Sequence, residues 1–268
     1  MKATNYYTLI TGGSMGIGYE LAKIFAEEAH NLILVARTES DLQKVREELE
    51  GSGVKIITIS KDLFEPNAAF ELYDDIKSRG LTVDVLVNNA GQGQYGLFAE
   101  TDIHNELAIV QLNISSLIVL TKLFLQDMLE RGEGKILNLS SIASKTPGPW
   151  QAVYHGTKAF VQSFTEAVRS EIKDQNITVT ALLPGATDTD FFNKADMETS
   201  KAVQDKSKLS DPAKVARDGY DALMKGDDKV ISGFKNKMTV AMSNLMSDST
   251  AADVMKKQQE PVNIKKSL

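Results

Sequence analysis

The stretch Thr8-Leu9-Ile10-Thr11-Gly12-Gly13-Ser14-Met15-Gly16-Ile17-Gly18 decides the fold. An apolar triplet runs straight into glycines at 12, 16 and 18, after which Leu21, Ile24, Phe25 and Ala29 recur at helical spacing. A short apolar run before glycines reads as a buried strand, and the spacing after it as a helix packed by one face. In such a strand–turn–helix, small residues let the backbone approach a pyrophosphate, and the free N–H groups of the helix end receive it. Gly12, Ser14, Met15, Gly16, Ile17 and Gly18 are therefore candidates for a dinucleotide-binding loop. A tight strand-to-helix turn with no ligand uses the same letters, so the rest of the chain has to decide.

Working outward, strands and helices alternate. Asn31 to Ala36 reads as a second strand, and Thr38 to Glu50 as a helix ended by Gly51. Val54 to Ser60 is a third strand, and Asn67 to Arg79 a helix stopped by Gly80. Val83 to Val87, Lys135 to Leu139 and Ile177 to Leu183 supply the fourth, fifth and sixth strands. Long helices separate them, from about Glu106 to Arg131 and from Ala152 to Lys173. Asp211-Pro212 is an N-cap followed by proline at the first helical position, in a helix closed by Gly226; Val230-Ile231 makes a seventh strand. Apolar strands in strict alternation with helices predict an α/β fold: a doubly wound parallel sheet (Rossmann fold) of about seven strands, with helices on both faces. Ligands then bind beyond the carboxyl ends of the strands.

Those ends carry the polar chemistry. The second strand runs into Ala36-Arg37-Thr38. An acid there would hold the ribose 2′-hydroxyl of NAD. Arg37 instead suits the 2′-phosphate of NADP, although a solvated arginine at a helix start also fits. After the third strand, Asp62 could accept from an adenine amino group and Leu63 could pack on its ring; Asp62 would serve equally as a loop or cap residue. Asn88-Asn89-Ala90-Gly91 could let the backbone pass under a cofactor, or form a plain turn. The fifth strand ends in Ser140-Ser141, and the sixth in Pro184-Gly185-Ala186-Thr187-Asp188-Thr189. Small and polar ends on apolar strands mark one ligand-binding edge.

The 268 residues are 42% hydrophobic and 25% charged, as one soluble α/β domain would be. The net charge of -6 argues against nucleic acid as a partner. With no cysteine, disulfides, thiol catalysis and cysteine-ligated zinc are excluded. His30, His104 and His155 are not arranged as metal ligands, so no metal is expected. The N-terminus lacks a cationic region followed by an apolar core, and the apolar run Leu117 to Leu125 is too short to span a bilayer. A cytoplasmic location without membrane attachment is expected.

TGGSMGIG, NNAG, Asn113, Ser141, YHGTK at Tyr154–Lys158 and PGATDT resemble, in order and spacing, the motifs of the short-chain dehydrogenase/reductase family. Ser141 stands thirteen residues before Tyr154, the family's usual separation. The resemblance covers roughly residues 5 to 190. It implies an NADP(H)-dependent oxidoreductase that moves hydride between nicotinamide and a carbonyl or secondary alcohol, with NAD(H) as the weaker choice. Tyr154 would be the general acid/base, Lys158 the holder of the nicotinamide ribose that also lowers the tyrosine's pKa, and Ser141 the donor to the substrate carbonyl. Asn113 would anchor a water chain feeding Lys158. Gly12, Ser14, Ile17, Arg37, Asp62, Asn89 and Thr187 or Thr189 would touch the cofactor, with Ala90, Gly91, Pro184 and Gly185 lining the same edge. Physical chemistry agrees independently: Tyr154 and Lys158 lie one helical turn apart, and a nearby ammonium favours phenolate. Two other readings are a non-catalytic NADP-binding regulator and a lyase or epimerase on the same fold. The intact Ser141, Tyr154 and Lys158 disfavour the first, and the glycine spacing disfavours the second.

The whole chain, 1–268, is read as one Rossmann-type domain with a substrate lid at 190–211 and a helical extension at 234–268. Trp150 and Tyr95 are candidates for the pocket wall. Met238, Met242 and Met246 fall at helical spacing, which reads as core packing before a flexible pocket wall. His155 reads as structural or substrate-facing, since it points about 100° around the helix from Tyr154. The apolar helix around Leu117, Ile118, Leu120 and Leu125 must cover the sheet and has surface to spare, and the family resemblance implies a homodimer or homotetramer through it and the Tyr154 helix. The substrate would be a small carbonyl or alcohol compound.

Overall fold

The computed structural model describes residues 5–243 and 245–262. Seven strands form one parallel sheet: β1 (Tyr6–Thr11), β2 (Asn31–Ala36), β3 (Ile56–Ser60), β4 (Thr82–Asn88), β5 (Gly134–Leu139), β6 (Ile177–Leu183) and β7 (Lys229–Ile231). Their order across the sheet is β3-β2-β1-β4-β5-β6-β7. The order reverses between β1 and β4, so a crevice opens at their carboxyl ends. This is the Rossmann-like arrangement that the alternation predicts.

Three helices, α1 (Gly16–Glu27), α2 (Glu39–Leu49) and α3 (Ala68–Ser78), follow the first three strands. After β4 come α4 (Ile103–Val110), a π-turn at Gln111–Ser116 and α5 (Leu117–Arg131); after β5 comes α6 (Ala152–Glu171). The remaining helices are α7 (Phe191–Lys194), α8 (Pro212–Lys225), α9 (Phe234–Ser243) and α10 (Asp248–Gln259). Alternate strand residues feed two apolar layers, as the two-residue repeat of a strand requires. Leu9, Ile33, Leu86 and Ile136 pack with Leu72, Phe124 and Met128 on one face. Ile10, Leu34, Val87 and Leu137 pack with Leu21, Phe25, Val215 and Leu223 on the other.

Local signals account for most element ends. Asp211 accepts from the Ala213 N–H, Pro212 opens α8, and Gly226 closes it at φ 81°. Three expectations need correction. The left-handed stop after α2 is Gly53 at φ 77°, not Gly51, because a short 3-10 turn over Glu50–Ser52 continues the helix. The stretch expected as one plain helix from Glu106 contains the π-turn, which shifts the side-chain register at Asn113. And Ile103–Arg131 is long and apolar enough, by length and composition, to cross a bilayer, unlike Leu117–Leu125 taken alone. Leu112, Leu120, Phe124 and Met128 on it are buried in the sheet-facing layer.

In the C-terminal part, α9 turns Val240 inward but leaves Met238 and Met242 exposed, so the methionine repeat is not core packing. Met246 lies beyond the end of α9. Residues 263–268 of the expected 234–268 extension lie outside the described residues.

Candidate active site

Gly12 and Gly16 adopt φ +64° and +56°, conformations open to glycine at little cost. A Cβ on Gly18 would lie 2.1 Å from the Gly12 carbonyl oxygen, so the loop folds directly onto the start of α1. Asn89 braces this turn: its Nδ2 donates to the carbonyl oxygens of Thr11 at 2.9 Å and Gly12 at 3.0 Å. The backbone N–H groups of Asn89 and Ala90 donate to Thr11 Oγ1. The N-cap of α1, Met15, makes no side-chain cap, and the first turn carries no acid. Helix N–H groups and the positive dipole end are thus left for an anion.

One cavity of about 1050 Å³ runs along the strand ends. Gly12, Ser14, Met15, Gly16 and Ile17 line it, with Arg37, Asp62 and Leu63 at the β2–β3 side. Asn89, Ala90 and Gly91 contribute from β4, Ser141, Tyr154 and Lys158 from β5 and α6, and Pro184, Gly185, Thr187 and Thr189 from β6. Two expected site residues do not line it. Gly18 sits beneath the loop, and Asn113 stands behind the wall. Arg37 is exposed and lies over the Phe64 ring, 5.1 Å from its centroid. Asp62 is partly spent locally, accepting from the Phe64 N–H at 3.1 Å. Thr189 reaches across to the glycine loop, its Cγ2 lying 3.0 Å from where a Gly16 Cβ would stand.

The polar centre lies between β5 and α6. The Ser141 hydroxyl donates to the Pro184 carbonyl at 3.4 Å and accepts from the Ala143 N–H at 3.1 Å. Burial pushes the Tyr154 pKa up to about 12, opposed by the Ser141 hydroxyl. Lys158 is buried, and its Nζ donates to the Leu139 carbonyl at 2.8 Å and lies 5.8 Å from the Tyr154 ring centroid. Burial pushes its pKa down to about 8. Near neutrality the phenol is protonated and the lysine mostly charged, which makes a proton donor beside a cation. Tyr154 is flanked by Phe191, 5.2 Å between ring centroids, and by Gly93, whose missing side chain leaves the ring room.

The π-turn places Asn113 where its Oδ1 accepts from the Gln92 N–H at 3.0 Å. Its Nδ2 donates to the Gln92 carbonyl at 2.9 Å and to Thr157 Oγ1 at 3.0 Å. Thr157 Oγ1 in turn donates to the Tyr154 carbonyl. Asn113 thus fixes the β4 loop against α6. A Cβ on Gly91 would lie 3.2 Å from Lys158 Nζ and 3.4 Å from Asn113 Oδ1, so glycine alone leaves space between them. Beneath lies a buried amide ladder: Asn88 Nδ2 donates to Thr121 Oγ1 and Asn138 Oδ1, and Asn138 Nδ2 to Thr165 Oγ1. Sequence reading missed Gln92 and Gly93 as neighbours of this centre, since nothing in their local pattern marks them; Phe191 belongs to the segment expected as the substrate lid.

Trp150 and Tyr95 stack at 5.6 Å between centroids. Neither lines the cavity; together they buttress the loop before α6. The segment 190–211 does contribute to the wall, through Phe191, Phe192, Met197 and Val203. Among the described residues no group of His, Asp and Glu could hold a metal. The uncapped helix end, the glycine cradle and the long cavity together suit a dinucleotide.

Comparison with known proteins fits this geometry. The family model for short chain dehydrogenases matches residues 7–200. Dehydrogenase/reductase SDR family member 7B of Mus musculus is 30% identical over 250 residues, covering 90% of this chain and 77% of that protein. Very-long-chain 3-oxoacyl-CoA reductase of Rattus norvegicus is 35% identical over 185 residues, covering 66% of this chain and 58% of that protein. Among solved structures, a short-chain dehydrogenase from Sphingobium yanoikuyae in complex with NADPH superposes with a TM-score of 0.78 at 26% identity, covering 90% and 95% of the two chains.

Proposed function

We propose that this chain, which belongs to the short-chain dehydrogenase/reductase family and is an NAD(P)-dependent oxidoreductase of carbonyl or alcohol groups, uses NADP(H) and works through Ser141, Tyr154 and Lys158. The observation that carries the proposal is their convergence on one cavity with an uncapped helix end and Arg37. The cofactor, when bound, supplies or takes up the hydride. The chain does the rest. The α1 end and the glycine loop hold the pyrophosphate, and Arg37 reads the 2′-phosphate, for which β2 offers no competing acid. The Ser141 hydroxyl holds the substrate oxygen beside the phenol. In the reducing direction Tyr154 gives that oxygen its proton; in the oxidising direction it takes it back. The Lys158 cation lowers the cost of the phenolate, and positive charge on oxidised nicotinamide would act the same way.

Cofactor oxidation against a panel of aldehydes, ketones and 3-oxo esters tests this. Tyr154→Phe should cut turnover by about 10²–10⁴-fold with NADPH affinity kept. Unchanged turnover would refute the assigned role, and a wild type that binds NADPH but reduces nothing would favour a regulator. Arg37→Ala should narrow the preference for NADP over NAD; an unaltered ratio removes Arg37 as the phosphate reader.

We also read the exposed apolar residues Ile103 and Leu107 on α4, with the stacked pair Phe160–Phe164 on α6, as a contact between copies of a homo-oligomer. A monomeric mass by light scattering would rule that out.

A further inference from the structure

The histidine directly after Tyr154 takes no part in the steps above, yet it is only 4% exposed. Its Nδ1 lies 2.8 Å from the Thr146 carbonyl oxygen. A carbonyl oxygen only accepts, so Nδ1 carries the hydrogen. Burial, the largest influence, pushes its pKa down. Near neutrality Nε2 is therefore a bare acceptor. Its partner is the side-chain amide nitrogen of Gln259, at 3.1 Å. The opposite amide orientation would set two acceptors face to face, so the histidine fixes which way Gln259 turns. A Cβ on Gly148 would lie 2.1 Å from the imidazole ring, so the loop before α6 leaves the ring a single pose.

Gln259 ends α10 and is itself buried. Its backbone carbonyl oxygen accepts from the Ser200 hydroxyl at 3.0 Å and from the Tyr95 phenol. The chain beyond it pairs antiparallel with the 190–211 segment, Ser200 opposite Pro261. The Lys201 N–H donates to the Glu260 carbonyl at 3.1 Å, and the Val262 N–H to the Thr199 carbonyl at 2.9 Å. One residue thus ties together the helix of Tyr154, the substrate-side segment and the loop after β4. The same helix end sends Met255 and Gln258 to the cavity wall.

The geometry points to a latch in which His155 and Gln259 are positioning residues that hold α10 and the 190–211 segment as a fixed roof of the substrate chamber over Tyr154. That the chamber receives a carbonyl substrate rests on the function proposed above; the latch itself is a property of the fold. It ties substrate-side elements together, so it governs the grip on the carbonyl compound and leaves the dinucleotide cradle alone. It also gives His155 a task that needs no proton transfer.

The test uses the full chain with His155→Phe, which keeps a ring against Gly148, Gln259→Met, which keeps the chain length, and the double variant. Two readouts are taken: hydrogen exchange at the Lys201 and Val262 amides without substrate, and kcat, KM and NADPH affinity with the best substrate of the carbonyl panel. Each single variant should speed exchange at both amides and raise KM on the order of tenfold. NADPH affinity and exchange in the central strands should stay unchanged. The double variant should be no worse than either single, because the bond is lost only once. Multiplying KM effects, or unchanged exchange at Lys201 in Gln259→Met, overturns the latch. If His155→Phe fails to fold, Gln259→Met still decides through exchange. Tyr154→Phe provides the separation: loss of turnover with intact exchange protection tests the chemistry alone, and altered protection in Gln259→Met tests the latch alone.

Discussion

Lys158→Met should make the cofactor-free protein more stable at neutral pH and less stable at high pH. Burial depresses the pKa of the folded ammonium to about 8 from an ordinary 10.5. A cation whose folded pKa lies below its unfolded one opposes folding while it is protonated. The opposition is full below pH 8, shrinks as pH rises, and is gone above about pH 10.5. That depression corresponds to about 3 kcal/mol. Linkage leaves about 1 kcal/mol of it at pH 10, a change of about 2 kcal/mol from pH 7. Methionine removes the charge but leaves the Leu139 carbonyl without its 2.8 Å partner, a loss of about 1–2 kcal/mol at every pH. The variant should therefore be more stable by about 1–2 kcal/mol at pH 7, and the wild type by up to about 1 kcal/mol at pH 10. Urea unfolding of both proteins at half-unit pH steps measures the difference, in which titrations common to both cancel. Parallel stability curves would refute the reasoning, since a lysine that keeps its ordinary pKa in the fold carries no such dependence.

Two further outcomes follow from the backbone. Gly18→Ala forces a methyl to within 2.1 Å of the Gly12 carbonyl oxygen and 2.4 Å of Asn89 Nδ2; the loop must shift, and NADPH affinity should fall about 10- to 100-fold, with an unchanged Kd counting against the cradle. Ala29 is exposed and holds φ 62° just past α1, so Ala29→Gly should stabilise the protein by about 0.5–1 kcal/mol in thermal or urea unfolding, and a loss of stability would show that the left-handed turn carries no strain.

The sheet was legible because its strands are apolar and bounded by glycine, proline and capping residues. β6, Ile177–Leu183, stands where its run of apolar residues ends, and α8 starts and stops at Asp211 and Gly226. The candidate catalytic set was legible through motif spacing, which captures a fixed topology without any distance. What stayed hidden was set by contacts between remote segments. Asn113 reads as a polar residue in an apolar helix; its partners, Gln92 of the β4 loop and Thr157 of α6, come from remote segments. Asn89 reads as a cofactor contact, but its amide donors are taken by two loop carbonyls. The histidine after Tyr154 has its partner 104 residues away, a separation at which no local pattern exists. The methionines of α9 misled because helical spacing shows that residues share a face, not which way the face turns.

The roof tied down by Gln259 has a consequence for how the protein is made. The dinucleotide cradle is complete in sequence at Thr189, whereas α10 begins at Asp248. A chain made N-terminus first therefore holds every residue of the cradle before any residue of α10. On the function proposed above, a protein cut short before Asp248 would keep the dinucleotide side of the cavity and lose the wall formed by Met255, Gln258 and Gln259.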